Sequence, residues 1–304
     1  MPPVPMPATP RRRSVVREIQ MRAGLHTSIA GSLEGAATEA GGLGANTFQI
    51  FSSSPRQWKA SVPSEPAIHQ MKRAREKFDL YPLVIHDNYL INLASADEVI
   101  RRKSIEAFHG ELVRALAIGA EFLVAHPGNY KGHTVEQGIF HFLEGVAEAA
   151  RDLPSGKVTL LIENTAGAGA QLGSRFEELQ VMREFAPRMT DLPIGFCLDT
   201  CHLLAAGFDV TSLKGLDATL AAAGSHLGLE NVHVIHANDS KGALGSHLDR
   251  HQNIGEGQIG LEAFGRIVNH PRLRDKPFIL ETPVENPGDD RKNLETLKSL
   301  RKKR

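Results

Sequence analysis

Lys157-Val158-Thr159-Leu160-Leu161-Ile162-Glu163 is a short, β-rich apolar run that stops on a carboxylate. An unpartnered carboxylate at the end of such a run would be costly to bury, so something else must reach it. Seven more runs of the same kind lie along the chain, at residues 20–26, 46–51, 82–87, 121–126, 194–199, 231–237 and 277–281. They recur about every 25 to 45 residues, the spacing of β–α units. Between them, stretches such as 99–118 and 135–150 repeat their apolar residues at helical period. Eight such units predict an α/β fold, a single (β/α)8 TIM barrel over residues 23–290 with its active site at the C-terminal ends of the strands. A doubly wound open sheet would carry a glycine-rich phosphate loop after its first strand. Gly24-Leu25-His26-Thr27-Ser28 is not one.

Six of the eight runs end in a side chain able to bind a metal: His86, His126, Glu163, Asp199, His236 and Glu281. One would be unremarkable, but six at equivalent positions converge on one mouth of a barrel. His202, three residues after Asp199, and the pair Asp249 and His251 in a glycine-rich loop extend the set to five imidazoles and four carboxylates. A single tetrahedral site cannot use so many, which predicts two or three divalent ions, zinc or manganese. Such a cluster suits phosphodiester hydrolysis. Strand alternation separates His236 from His233, which shares the face of Ile235 and is expected to look toward the helices. His109 and His141 fall on predicted helices and His69, His226 and His270 in polar connections. All are expected to be solvated. His26 and His247 stay open, and Cys201 reads as a small buried thiol beside the site.

Composition sharpens this. An apolar content of 41% with 23% charged residues fits a globular body, and no apolar run approaches the roughly 18 residues of a membrane span. Residues 1–13 lack the apolar core of a secretory signal, and Cys197 and Cys201 form no disulfide framework. A cytoplasmic protein is expected, nucleoid-associated in a bacterium. The 35 basic and 35 acidic side chains cancel, which on its face argues against a nucleic-acid partner. Their distribution is uneven. Residues 1–22 carry five arginines against Glu18, and 291–304 carry seven basic residues against Glu295; both read as basic tails. The remaining 23–290 holds 23 basic and 33 acidic side chains, a net −10 that three divalent ions would bring to about −4. Phosphate-binding charge would then come from metal.

At these residues the sequence resembles the endonuclease IV family, zinc-dependent endonucleases of DNA base-excision repair. The likeness spans roughly residues 24–285: His86-Asp87-Asn88-Tyr89-Leu90-Ile91-Asn92-Leu93, His126-Pro127-Gly128, Glu163-Asn164-Thr165-Ala166-Gly167, Cys197-Leu198-Asp199-Thr200-Cys201-His202, His236-Ala237-Asn238-Asp239-Ser240-Lys241, Asp249-Arg250-His251 and Leu280-Glu281-Thr282-Pro283. It implies three zinc ions, with manganese as a substitute at one position. His86, His126 and Glu163 would hold the first; Glu163 would bridge to a second held by Asp199, His236 and Glu281; His202, Asp249 and His251 would hold the third. A hydroxide between the first two, close to Glu281, is the implied nucleophile, which makes Glu281 and Glu163 the catalytic carboxylates. The implied substrate is double-stranded DNA with an abasic site or a blocked 3′ end, contacted by Arg56, Gln57 and Trp58 after the second strand and Tyr89 and Leu90 after the third. A monomer without a nucleotide cofactor is expected. The competing reading is a metal-dependent sugar isomerase or epimerase on a related barrel, which needs about four ligands and has no use for the full set. A barrel retired to DNA binding or scaffolding need not keep nine ligands.

Overall fold

A computed structural model describes residues 21–302. Most of the basic N-terminal segment 1–22 lies outside them; of its last two residues, Met21 is buried in the core and Arg22 pairs with Asp79 at 2.7 Å.

Eight strands form one parallel sheet: β1 Ala23–Leu25, β2 Phe48–Phe51, β3 Leu83–His86, β4 Phe122–Ala125, β5 Thr159–Glu163, β6 Ile194–Asp199, β7 Val232–His236 and, last in the chain, β10 Phe278–Leu280. They lie in the order β1-β10-β7-β6-β5-β4-β3-β2. The ring closes between β1 and β2 through a single parallel bridge, His26 to Gln49, with Thr27 N–H donating to the Gln49 carbonyl at 2.8 Å. Two short strands, β8 Asp239–Ser240 and β9 His251–Gln252, pair antiparallel on top. The outer layer is α1 Leu33–Gly42, α2 Glu65–Phe78, α3 Glu98–Ile118, α4 Val135–Ala150, α5 Phe176–Phe185, α6 Thr200–Ala206, α7 Leu213–His226, α8 Gly260–Asn269 and α9 Asp289–Ser299. None of these helices is long and apolar enough to cross a membrane.

The strands alternate between two apolar environments, as a barrel requires. One face of each packs with the helices. On the inner face Val84, Val124, Leu161, Cys197, Val234 and Ile279 form a closed layer. The next inward-pointing residue on each of these strands, two positions on, is His86, His126, Glu163, Asp199, His236 or Glu281. The apolar layer is therefore the floor of the site.

Two expectations are corrected here. Within the basic segment 291–304, the described residues are not a tail: residues 289–299 form α9, which buries Leu294 and Leu297 against the barrel, and residues 303–304 lie outside the described residues. Its leucines recur at helical spacing among the charges, so one apolar stripe docks the helix; Arg291 and Lys292 stay in solvent, while Lys298 and Arg301 are half-buried and donate to the Gly44 and Val268 carbonyls. His233 does not look toward the helices. The β6–β7 register slips between Phe196 and Cys197, a bulge that breaks strict alternation. His233 instead stacks on Phe122, ring centroids 5.4 Å apart, and lies against Gly195 at the opposite end of the barrel from the cluster.

Candidate metal centre

The nine side chains singled out above come together at one end of the barrel. Five groups have ligand atoms within 4.8 Å of one another; three contain no cysteine, namely His86, His126 and Glu163; Glu163, Asp199, His236 and Glu281; and His202, Asp249 and His251, while Cys197 joins Glu163 and His236, and Cys201 joins Asp199 and His251. Local structure explains each convergence. Asp199 caps α6, its Oδ1 accepting from His202 N–H at 2.8 Å, so one helical turn brings His202 back beside it. Asp249 and His251 arrive on the β8–β9 hairpin, whose base is held by Asp239. That buried carboxylate accepts five backbone N–H groups: Ser240 and Ile259 on Oδ1, Gly255, Gly257 and Gly260 on Oδ2, at 2.8–3.2 Å.

Ring orientation favours metal. The Nδ1–H groups of His86, His202 and His251 donate to the carbonyls of Asp87, Asn164 and Glu281 at 2.9–3.0 Å, which turns each Nε2 toward the cluster. His236 is reversed: Nε2–H donates to Gln49 Oε1 at 2.8 Å, and Nδ1 faces Glu163 and Glu281. Within the cluster, two buried ring nitrogens, His126 Nδ1 and His251 Nε2, make no hydrogen bond. His251 Nε2 stands 3.6 and 3.8 Å from the carboxylates of Asp199 and Asp249, too far for a hydrogen bond and suited to an intervening ion. The residues present fit a divalent metal.

Without metal the cluster balances itself by protons. Burial pulls His86 down, but Glu163 against its Nε2, together with Glu281 and Asp87, holds its pKa up at about 9. Burial likewise opposes protonation of His202, and Asp199, Asp249 and Glu163 raise it well above the usual range. Burial prevails at His126, lowered to about 4. Burial works against the charge of Glu281 too, but His236, His86 and His251 bring it to about 2. At pH 7 the metal-free site therefore holds imidazolium protons that an arriving ion must displace. Against burial, His236 is likewise raised well above the usual range by Cys197, Glu163 and Glu281. Adding zinc to the metal-free protein at pH 7 in weak buffer should therefore release about three protons per molecule, with affinity rising as pH climbs toward about 9. A pH indicator that registers no release would contradict this account.

Other sequence expectations resolve plainly. His26 lines the cleft, its Nδ1 accepting from Gln49 Nε2 at 3.1 Å, and belongs to none of the three sets. His247 bonds the Ala166 carbonyl at 2.9 Å and pins its own loop. Cys201 is buried with its thiol near the Arg250 carbonyl; burial first, then Asp199, push its pKa to about 12. His69 and His226 sit on α2 and α7 rather than in connections.

The sequence of residues 37–303 matches the family described as xylose isomerase-like TIM barrel. A relative from Solibacter usitatus, strain Ellin6076, bears the name "Probable endonuclease 4" and is 64% identical over 280 residues, 92% of this chain and 97% of that protein. The chain belongs to the endonuclease IV family. It is accordingly an enzyme of the nuclease class. The crystal structure of endonuclease IV from Thermus thermophilus superposes with a TM-score of 0.81 at 40% identity, covering 92% of this chain and 98% of that one. A D-tagatose 3-epimerase-like protein reaches a TM-score of 0.64 at 20% identity over 91% and 96%, a likeness of fold alone.

In this endonuclease IV family member, three polar residues that the strand-end rule passed over support the cluster. Gln49 donates to Glu281 Oε1 at 2.6 Å while accepting from His236, and so orients both. Asn238 donates to Asp199 Oδ2 at 2.6 Å and accepts from the Glu281 backbone N–H at 2.7 Å. Asn164 accepts from the Asp199 backbone N–H at 2.7 Å. Asn164 and Asn238 directly follow or nearly follow a strand-end ligand, the one signal that could have found them. Gln49 has no such signal beyond its place on a strand.

Proposed function

We propose that this nuclease repairs DNA by hydrolysing the phosphodiester 5′ to an abasic site, leaving a 3′-hydroxyl and a 5′-deoxyribose phosphate, and that it trims blocked 3′ ends by the same chemistry. The observation that carries this reading is the joining of three ligand sets in the floor of one cleft of about 400 Å³. His86, His126 and Glu163, then Glu163, Asp199, His236 and Glu281, then His202, Asp249 and His251 would hold three ions, zinc with manganese as a substitute at one position. Divalent ions bound there supply Lewis acidity and a nucleophile available at neutral pH.

The chain's own groups divide the remaining work. Glu281 is the strand-end carboxylate that opens to the cleft, its side chain 19% exposed where those of Glu163 and Asp199 are fully buried. Kept ionised by the imidazoles around it, it is the carboxylate placed to accept a hydrogen bond from attacking water and orient it, with Gln49 and Asn238 keeping its oxygens aimed. Tyr89, 70% exposed and edge-on to Phe51 at 5.2 Å, stands at the cleft mouth. Arg56 and Gln57 are exposed on the neighbouring rim, and Trp58 and Leu90 are half-buried beside them. An abasic nucleotide has no base to unstack, so extruding its sugar-phosphate into a small cleft costs little. A sugar isomerase would leave His202, Asp249 and His251 without a task.

A duplex carrying one tetrahydrofuran abasic analogue tests the reading. The metal-loaded protein should nick it once, on the 5′ side, and Glu281→Gln should slow the nick by about 10³-fold. An uncut duplex with loaded wild type, or full activity in Glu281→Gln, would overturn it. Elemental analysis adds a second check, because one equivalent of metal in loaded protein would favour the isomerase.

A further inference from the structure

Beneath the rim, α3 carries a buried ion pair that none of the chemistry above uses. Glu111 and Arg114 are almost wholly inaccessible and meet at 2.9 Å. The guanidinium reaches past Glu111 to the loop that follows β2. Its Nε donates to Ser52 Oγ at 2.6 Å, its Nη1 donates to the Ala60 carbonyl at 3.3 Å, and the Ser52 hydroxyl donates in turn to Glu111. One side chain thus grips both ends of the segment that displays Arg56, Gln57 and Trp58. Asn88 extends the same grip to the loop after β3. Its amide lies 3.5 Å from both the Gln57 carbonyl and Glu111 Oε1, and its Oδ1 accepts from Leu90 N–H at 2.9 Å. Both rim loops therefore rest on one pair of charges.

Burying an ion pair seldom adds stability over an apolar substitute, so the placement of this one between two loops is better explained by the geometry it dictates. The planar fork suits that task, since a lysine ammonium could not reach Ser52, Glu111 and Ala60 together. We propose that Ser52, Glu111 and Arg114 are positioning residues that hold the two rim loops in the conformation that engages damaged DNA. This rests on the function proposed above, and it touches neither the ions nor the cleaved bond.

Trp58 is the single tryptophan of the chain and lies inside the gripped segment, so its fluorescence reports on the loop directly. Two variants test the proposal: Ser52→Ala cuts the link while leaving the pair intact, and Arg114→Lys keeps the charge without the fork. Each should raise acrylamide quenching of Trp58 about twofold, as expected for a loop released from its anchor. Each should raise KM for the tetrahydrofuran duplex about tenfold, the scale of one or two lost hydrogen bonds, with kcat and metal content within about twofold of wild type. Adding Arg56→Ala to Ser52→Ala should raise KM little further, because a loop already released no longer presents that arginine. Unchanged quenching and KM, or Arg56→Ala multiplying the effect in full, would overturn the proposal. A wild type that leaves the duplex uncut would sink the proposed function instead, and the quenching of Trp58 would then decide the anchoring by itself.

Discussion

Glu163→Gln is expected to lower metal retention and nicking together, each by about 10³-fold or more, while leaving the barrel folded. Glu163 is fully buried, and its two oxygens face four imidazoles: His236 Nδ1 at 3.0 Å, His202 Nδ1 at 3.3 Å, His86 Nε2 at 3.2 Å and His126 Nε2 at 3.7 Å. It also belongs to two of the three ligand groups that contain no cysteine, so the change damages both. The amide keeps the shape of the side chain but removes the charge and points N–H groups at ring nitrogens. With the carboxylate gone, the protons held on His86 and His236 lose a main partner, and the metal-free variant should release fewer protons on exposure to zinc. Elemental analysis after loading, alongside the rate on the abasic duplex, measures both effects. A variant that retained metal like the wild type would refute the assignment of Glu163 as the shared ligand.

Asp239→Asn is expected to act through stability, costing roughly 3–5 kcal/mol, since buried hydrogen bonds to a charge are each worth about 1.5–3 kcal/mol and several are lost at once. Five backbone N–H groups converge on the carboxylate, and an amide has one accepting oxygen where two are needed. Its NH₂ would face donors. The segment 253–260 packs as closely as it does because Gly257 has no side chain; a Cβ there would come within 2.5 Å of Asp239 Oδ1. Loosening it frees the hairpin that carries Asp249 and His251. The variant should therefore unfold at lower urea and lose the ion of the third set before those of the other two. Equal urea midpoints for variant and wild type would count against the anchor.

The barrel and the convergence of its strand-end side chains were legible because one periodicity encodes both. Val84 and His86, Leu161 and Glu163, Val234 and His236 are neighbours on the inner face, so an apolar run that ends in a polar residue states the strand, its facing and the height of the site at once. What escaped breaks that periodicity or lies beyond it. His233 sits on a bulge, where counting by twos fails. The segment 291–304 advertised its charge more loudly than its three spaced leucines. Gln49 has no metal chemistry to attract notice, and the bond from Arg114 to Ser52 joins residues 62 apart, a pairing that no local pattern announces.

The ring closes at its narrowest between β1 and β2, where His26 and Gln49 form the only bridge among the described strands at that seam. The same Gln49 reaches across to Glu281 and His236. The joint at which the ring can gape most easily is thus also a wall of the reaction chamber. Parting β1 from β2 would draw away the amide that bonds Glu281 on one side and His236 Nε2 on the other, so the closure of the ring and the aim of those two side chains stand or fall together.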